Sequence, residues 1–185
     1  MFDRLDPTLT SLIVSAEESE AITACLKRLM DETGATHIML LDRAGQIICW
    51  QGGENRMQEM MHLGALLAGA YATSREMARL LKEDGFRVLV QEGMREKIFT
   101  ETVDDRWLLV VVFDHQAHLG LVKVLSKRAT QTLTGILHLV IQNNESRRAQ
   151  FRGGIRKAAV DTIDLLFNDD SAPSPGQTTE KKPWP

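Results

Sequence analysis

Cysteine is scarce in this sequence: Cys25 and Cys49 are the only two, and neither has a second ligand at metal-site spacing. They are expected to be reduced, partly buried thiols of a cytoplasmic protein, rather than a disulfide framework or a zinc site. No apolar run approaches the roughly 20 residues needed to cross a bilayer. The opening "MFDRLDPTLT" carries acidic residues and no long apolar core, so no secretory signal is expected there. An excess of charge is missing too. The net charge of -3 argues against a general nucleic-acid binder, which would carry a basic surplus.

Catalytic motifs are also absent. There is no Walker A loop, no GxGxxG, no GxSxG elbow and no HExxH. His115 and His118 stand in "FDHQAHLG" with HxxH spacing, but no third histidine or cysteine lies nearby, and an ordinary loop is expected. His37, His62 and His138 are isolated, as surface or satisfied core residues would be. "TETVDDR" gathers Glu101, Asp104 and Asp105, yet a hairpin turn favours aspartate without any acid–base role. With no nucleophile, base and orienting group together, the expectation is a protein without catalytic residues, cofactor, metal or chemistry of its own.

What is present alternates between helical and strand patterns. In "SAEESEAITACLKRLMDETGA", Ser15 and Glu18 have capping-box spacing, apolar residues follow at helical period, and Gly34 suits the C-cap. "THIMLLD", "RAG" and "QIICWQG" predict a β-hairpin with Gly45 in its turn. A helix over about 57–81 follows. "FRVLVQE", "EKIFTETV" and "RWLLVVVFD" are three strands, and the last has the unbroken apolar run of a central strand covered on both faces. A helix returns from about His118 to Asn143. The order α-β-β-α-β-β-β-α predicts an α+β layered domain, an antiparallel sheet of about five strands flanked by helices. Its predicted span is 15–143, followed by a linker over 144–154, an amphipathic helix over 155–168 and a disordered tail over 169–185.

The helix over 57–81 contains the unusual stretch "HLGALLAGAYATSREMARLL". Two glycines in a helix interior cost on the order of 1 kcal/mol each. Met60, Leu63, Leu67, Ala70, Ser74, Met77 and Leu81 form a stripe predicted to lie on the sheet. Gly64, Ala65, Ala68, Gly69 and Ala72 would then form a smooth outer face, where dense dispersion contact with another backbone offsets the glycine cost. A symmetric pair of chains can place two copies of that face together, so it is the expected dimer interface. The alternative is that the first helix or the tail covers it within one chain.

The run from "HIMLLDRAGQIICWQGG" to "VQEGMREKIFTETVDDRWLLVVVFDHQAHLGLVKVLSKRA" resembles the Roadblock (dynein light-chain) family. The features that carry this are "LLDRAGQII" at the hairpin, "EG" before a meander strand, and "LVVVFD" followed by "LGLVK". Within the family it resembles the MglB-type bacterial polarity regulators, and "DTIDLLFND" resembles the short acidic helix that ends them. The resemblance implies a homodimer with antiparallel second helices and third strands joined into one sheet. It also implies a partner, a small Ras-like GTPase of MglA type. The dimer would dock on this GTPase and reposition its switch residues without an arginine finger, so Arg56, Arg75, Arg79 and Arg95 need no such role. Carried over by position, the GTPase-binding residues would be Ala68, Ala72 and Glu76 of the second helix. Ile163, Leu166 and Phe167 would anchor the terminal helix, which would assist nucleotide exchange. The sequence departs from the MglB pattern where "TSREMARLL" brings Arg75, Glu76 and Arg79 into a half-helix that is otherwise small. Two other readings stay open at this point: a Roadblock dimer that only scaffolds other proteins, and a small-molecule sensor of PAS or GAF type, which would need a concave polar pocket.

Overall fold

Ser15 opens the first helix, α1 (Ala16–Thr33), as its spacing predicts. Its hydroxyl accepts the Glu18 backbone N–H at 3.3 Å, and the Glu18 carboxylate accepts the Ser15 N–H at 2.8 Å. Gly34 closes the helix in the left-handed region at φ 70° and donates its N–H to the Met30 carbonyl. The computed structural model describes residues 14–167 of the chain. Beyond α1 it contains β1 (His37–Asp42), β2 (Ile47–Gly52), a short 3-10 turn, α2 (Met57–Leu80), β3 (Val88–Glu92), β4 (Glu96–Val103), β5 (Trp107–Asp114) and α3 (Leu119–Phe167).

The strands form one antiparallel sheet in the order β2-β1-β5-β4-β3. The apolar run of β5 lies at its centre, between β1 and β4, with Leu109 opposite Leu40 and Val110 opposite Met39. Alternation along β1 and β5 sorts their side chains into two cores. Ile38, Leu40, Trp107, Leu109, Val111 and Phe113 face the helical layer of α1 and α3. Met39, Leu41, Leu108, Val110 and Val112 face α2 together with Met60, Leu67 and Tyr71. Covering on both faces is why positions 107–113 of this strand carry no polar residue, and its one polar residue, Asp114, stands at the less buried end. The β4–β5 turn bends at Asp104 and Asp105, both in the left-handed region at φ 50° and 52°, where short polar side chains are tolerated better than most.

The C-terminal part differs from the sequence expectation. Residues 144–154 were expected to form a linker, but the structure is helical throughout Leu119–Phe167. Arginine, alanine, glutamine and glutamate favour helix here, and Gly153–Gly154 lowers that preference without reversing it. By its contacts the chain nevertheless divides after Asn144 into a unit that holds the sheet and a second unit beginning at Glu145. The expected tail over 169–185 lies outside the described residues.

Candidate partner-binding face

The row of α2 that meets the sheet is Met60, Gly64, Leu67, Tyr71, Ser74 and Ala78, spaced by four and three residues as one helix face requires. This corrects the expected stripe. Met77 and Leu81 were expected on the sheet but are 49% and 66% exposed. Tyr71 and Ala78 take those places, because 100° per residue carries positions 64, 71 and 78 onto the same face.

The two glycines of α2 therefore do different things. Gly64, expected at a dimer seam, is buried and faces its own chain. A Cβ there would stand 3.0 Å from the Gly45 carbonyl oxygen and 3.4 Å from a Leu41 methyl. Gly45 itself, at φ 85°, is pressed against the backbone of Gly64 and Ala65. Gly64 thus lets the β1–β2 hairpin turn lie flush on α2. Ala68, also expected on the outer face and among the GTPase-binding residues, is buried too. Gly69 is different: it is exposed, and a Cβ there would meet nothing within 4 Å.

What remains on the solvent side is Ala65, Gly69 and Ala72, with Glu76 further along. Large apolar side chains border them: Leu66 is 71% exposed, Met61 56% and Leu80 85%. Isolated exposed leucines are unremarkable, but a contiguous apolar strip centred on small residues is the pattern of a contact surface. Near the end of the strip Arg79 pairs with Glu76 at 2.7 Å. At the start of α2, Arg56 is held by the Glu96 carboxylate at 2.7 Å and by Glu59 at 2.8 Å. Of the terminal-helix candidates Ile163, Leu166 and Phe167, only the backbone is described, in the last turns of α3; their side chains lie outside the described set.

Other polar features of the sequence are also placed. His115 and His118 are exposed in the β5–α3 connection. Among the described residues no three histidine, cysteine, aspartate or glutamate side chains gather where they could hold a metal. Asp104 accepts a hydrogen bond across 2.7 Å from His138, so that histidine is paired rather than isolated. His37 is buried against Trp50, ring centroids 5.7 Å apart, and its Nε2 has no partner among the described residues. Burial is the main cause holding its pKa below the ordinary histidine value, with the nearby Arg56 charge acting the same way. Glu101 is buried on β4, and its carboxyl pKa is raised by that burial despite Arg87, Lys127 and Lys123 nearby.

Sequence reasoning gave no sign of the concavity beside Tyr71. A cleft of about 490 Å³ is lined by Arg43, Tyr71, Arg75, Arg87, Thr102 and Asp105, among others. These residues come from the hairpin turn, α2, the α2–β3 connection, β4 and the β4–β5 turn, and no local pattern brings them together.

The fold, a five-stranded antiparallel sheet with one helix on one face and two on the other, defines a Roadblock domain. The family model for the Roadblock/LC7 domain matches residues 22–113, and the chain belongs to that family. Solved structures sharpen the likeness. Myxococcus xanthus MglB is similar at 31% identity and a TM-score of 0.64, over 69% of this chain and 96% of that one. The gliding protein MglB of Thermus thermophilus is similar at 32% identity and a TM-score of 0.64, over 68% of this chain and 95% of that one. An MglB in a tetrameric arrangement is similar at 30% identity and a TM-score of 0.66, over 70% of this chain and 97% of that one. No curated protein matches the chain in sequence. Among the described residues no helix is long and apolar enough to cross a membrane.

Proposed function

We propose that the chain is a homodimeric regulator of a small Ras-like GTPase of MglA type, accelerating GTP hydrolysis and assisting nucleotide exchange. The observation that carries this reading is the likeness to MglB proteins across almost the whole of their length. In this reading two α2 helices pack antiparallel through Ala65, Gly69 and Ala72. Leu66 and Leu80 then lose their contact with water, each worth about 1.5–3 kcal/mol if fully buried. The edge strand β3, which pairs with β4 on one side only, joins its counterpart so that two sheets become one. Pairing removes the open row of backbone donors and acceptors that an edge strand presents.

The GTPase docks on the C-terminal half of the paired helices, touching Ala72 and Glu76, while Ala68 acts by keeping the helix close to its own sheet. Ile163, Leu166 and Phe167 anchor the terminal helix on a separate face of the GTPase, as apolar residues of an amphipathic helix in a groove. The chain supplies no catalytic group. Arg56 and Arg79 already bind carboxylates of their own chain, so acceleration comes from holding the GTPase's own switch and catalytic residues in position. Such a pair works in the cytoplasm, in the control of cell polarity and motility.

The Glu76–Arg79 pair favours a second reading, in which the charged rim forbids docking and the dimer is a scaffold. GTP hydrolysis by the host's MglA-type GTPase, with and without this protein, separates the two. Acceleration is expected; none at saturating concentration would leave the scaffold as the better account.

A further inference from the structure

On the sheet face opposite α2, the furrow between α1 and α3 is open. It encloses about 420 Å³ above Ala21, Ala24, Cys25, Leu29, Leu125 and Ile136. Leu121 and Leu139 extend the apolar strip along α3, one at each end, 45% and 58% exposed. Positions 121, 125, 132, 136 and 139 recur at the spacing of a single helix flank. Arg28 and Arg128 line the furrow with Glu32, which leaves its lips net positive. Neither arginine forms an ion pair among the described residues.

Two contacts fix the direction of the furrow. The Cys25 thiol lies 3.9 Å from the Ala129 carbonyl oxygen, and Asn143 donates to the Glu18 carboxylate at 2.7 Å. The helices therefore run antiparallel, and the Leu139 end of the furrow lies beside the start of α1. The chain reaches α1 through Val14, which packs against the core beneath the same two helices. Residues 1–13, which lie outside the described set, thus leave from that end. Their sequence "MFDRLDPTLTSLI" carries Phe2, Leu5, Leu9, Leu12 and Ile13 together with Asp3 and Asp6, whose two negative charges outnumber the one positive side chain, Arg4. From position 121 to 139 the flank is about 27 Å long at 1.5 Å per residue. Thirteen extended residues span roughly 43–47 Å, enough for the approach along α1 and for the furrow itself.

We propose that residues 1–13 lie back along the furrow of their own chain, with their apolar side chains on its floor and Asp3 and Asp6 toward Arg28 and Arg128. The segment closes the apolar face of the α1–α3 layer and leaves the α2 strip as the surface open to partners.

The test uses the full chain with Cys49→Ser, in which Cys25 is the one remaining thiol. Thiol labelling of Cys25 by an aromatic disulfide reagent is compared with the same chain carrying Phe2→Ala, Leu5→Ala and Leu9→Ala. Emptying the furrow is expected to speed labelling about tenfold, since reactivity follows access; equal rates would overturn the proposal. A second arm places Phe2→Cys, Leu5→Cys or Leu9→Cys singly in that background under mild oxidation at low concentration. An intrachain disulfide to Cys25 in at least one variant is expected. Interchain crosslinks alone would assign the furrow to a second copy, and no crosslink in any variant would leave it without this occupant; either overturns the proposal.

Discussion

Gly64 and Gly69 lie on one helix, so replacing each with alanine separates a contact from a helix propensity. Alanine gains about 1 kcal/mol over glycine in a helix interior at either position. At Gly69 the new methyl meets nothing within 4 Å, so Gly69→Ala is expected to stabilise the isolated chain by about that amount. At Gly64 the methyl would stand 3.0 Å from the Gly45 carbonyl oxygen. That oxygen belongs to Gly45, the one buried residue of an otherwise exposed turn, and Gly45 is already pressed against the backbone of α2, so it has little room to retreat. Overpacking of this kind costs about 1–3 kcal/mol. Gly64→Ala should therefore fall between wild-type stability and about 2 kcal/mol below it. The propensity gain is common to both variants and cancels, so their difference, about 1–3 kcal/mol, is the Gly64–Gly45 contact itself. Urea titration measures it, with m-values required to match; in thermal melts the gap corresponds to roughly 3 °C per kcal/mol. Both variants and the wild type are measured at two chain concentrations, because dimerisation makes the stability of all three concentration-dependent, and with a seam at Gly69 only the Gly69→Ala difference from wild type would change with concentration. If Gly64→Ala proves as stable as Gly69→Ala, the close approach of the hairpin is not what glycine serves there.

Ala65→Arg would place an unpaired charge in the proposed seam at about 3 kcal/mol or more, weakening dimerisation at least about a hundredfold. Light scattering after size exclusion should then find monomer, and an unchanged dimer would count against the seam. His37 has a depressed folded-state pKa, so its stabilisation is present above the unfolded value of 6.5 and is lost as pH falls through the folded one. Melting temperature should accordingly drop from pH 7.5 to 5, with a shallower drop in His37→Gln. For Glu101 the folded pKa is raised above 4.5, so its favourable contribution exists at low pH and is lost as pH rises through the folded value. Glu101→Gln should thus raise the melting temperature at pH 7.5; no change would mean that the carboxylate is better compensated than its burial indicates. Ending the chain before Ile155 should weaken binding to the GTPase while leaving the melting temperature unchanged, whereas a large thermal loss would make that segment part of the folded core.

Much of this architecture is local and could be read along the chain. The Ser15–Glu18 cap, the Gly34 stop and the turn at Asp104–Asp105 depend on neighbouring residues. The apolar run of β5 announced its central place because a strand covered on both faces has no use for polar side chains. The site was legible only in part. That α2 is rich in small residues was evident, but the reason differs along it: Gly64 and Ala68 serve the chain's own packing, while Ala65, Gly69 and Ala72 remain open. The Gly153–Gly154 pair marked a linker by composition, where the surrounding residues sustain a helix.

The sequence by itself determined the order of elements, the two-sided burial of the central strand and the membership of the Roadblock family, because each follows from short-range pattern. Only the tertiary structure decided which side of α2 is outside, since that depends on where the hairpin turn lands, and the contact between Gly45 and Gly64 spans residues far apart in the chain. The same holds for the pairing of His138 with Asp104 and for the cleft around Tyr71. Helical periodicity specifies that one face is buried, but the rotation of the helix is set by the shape of what it packs against.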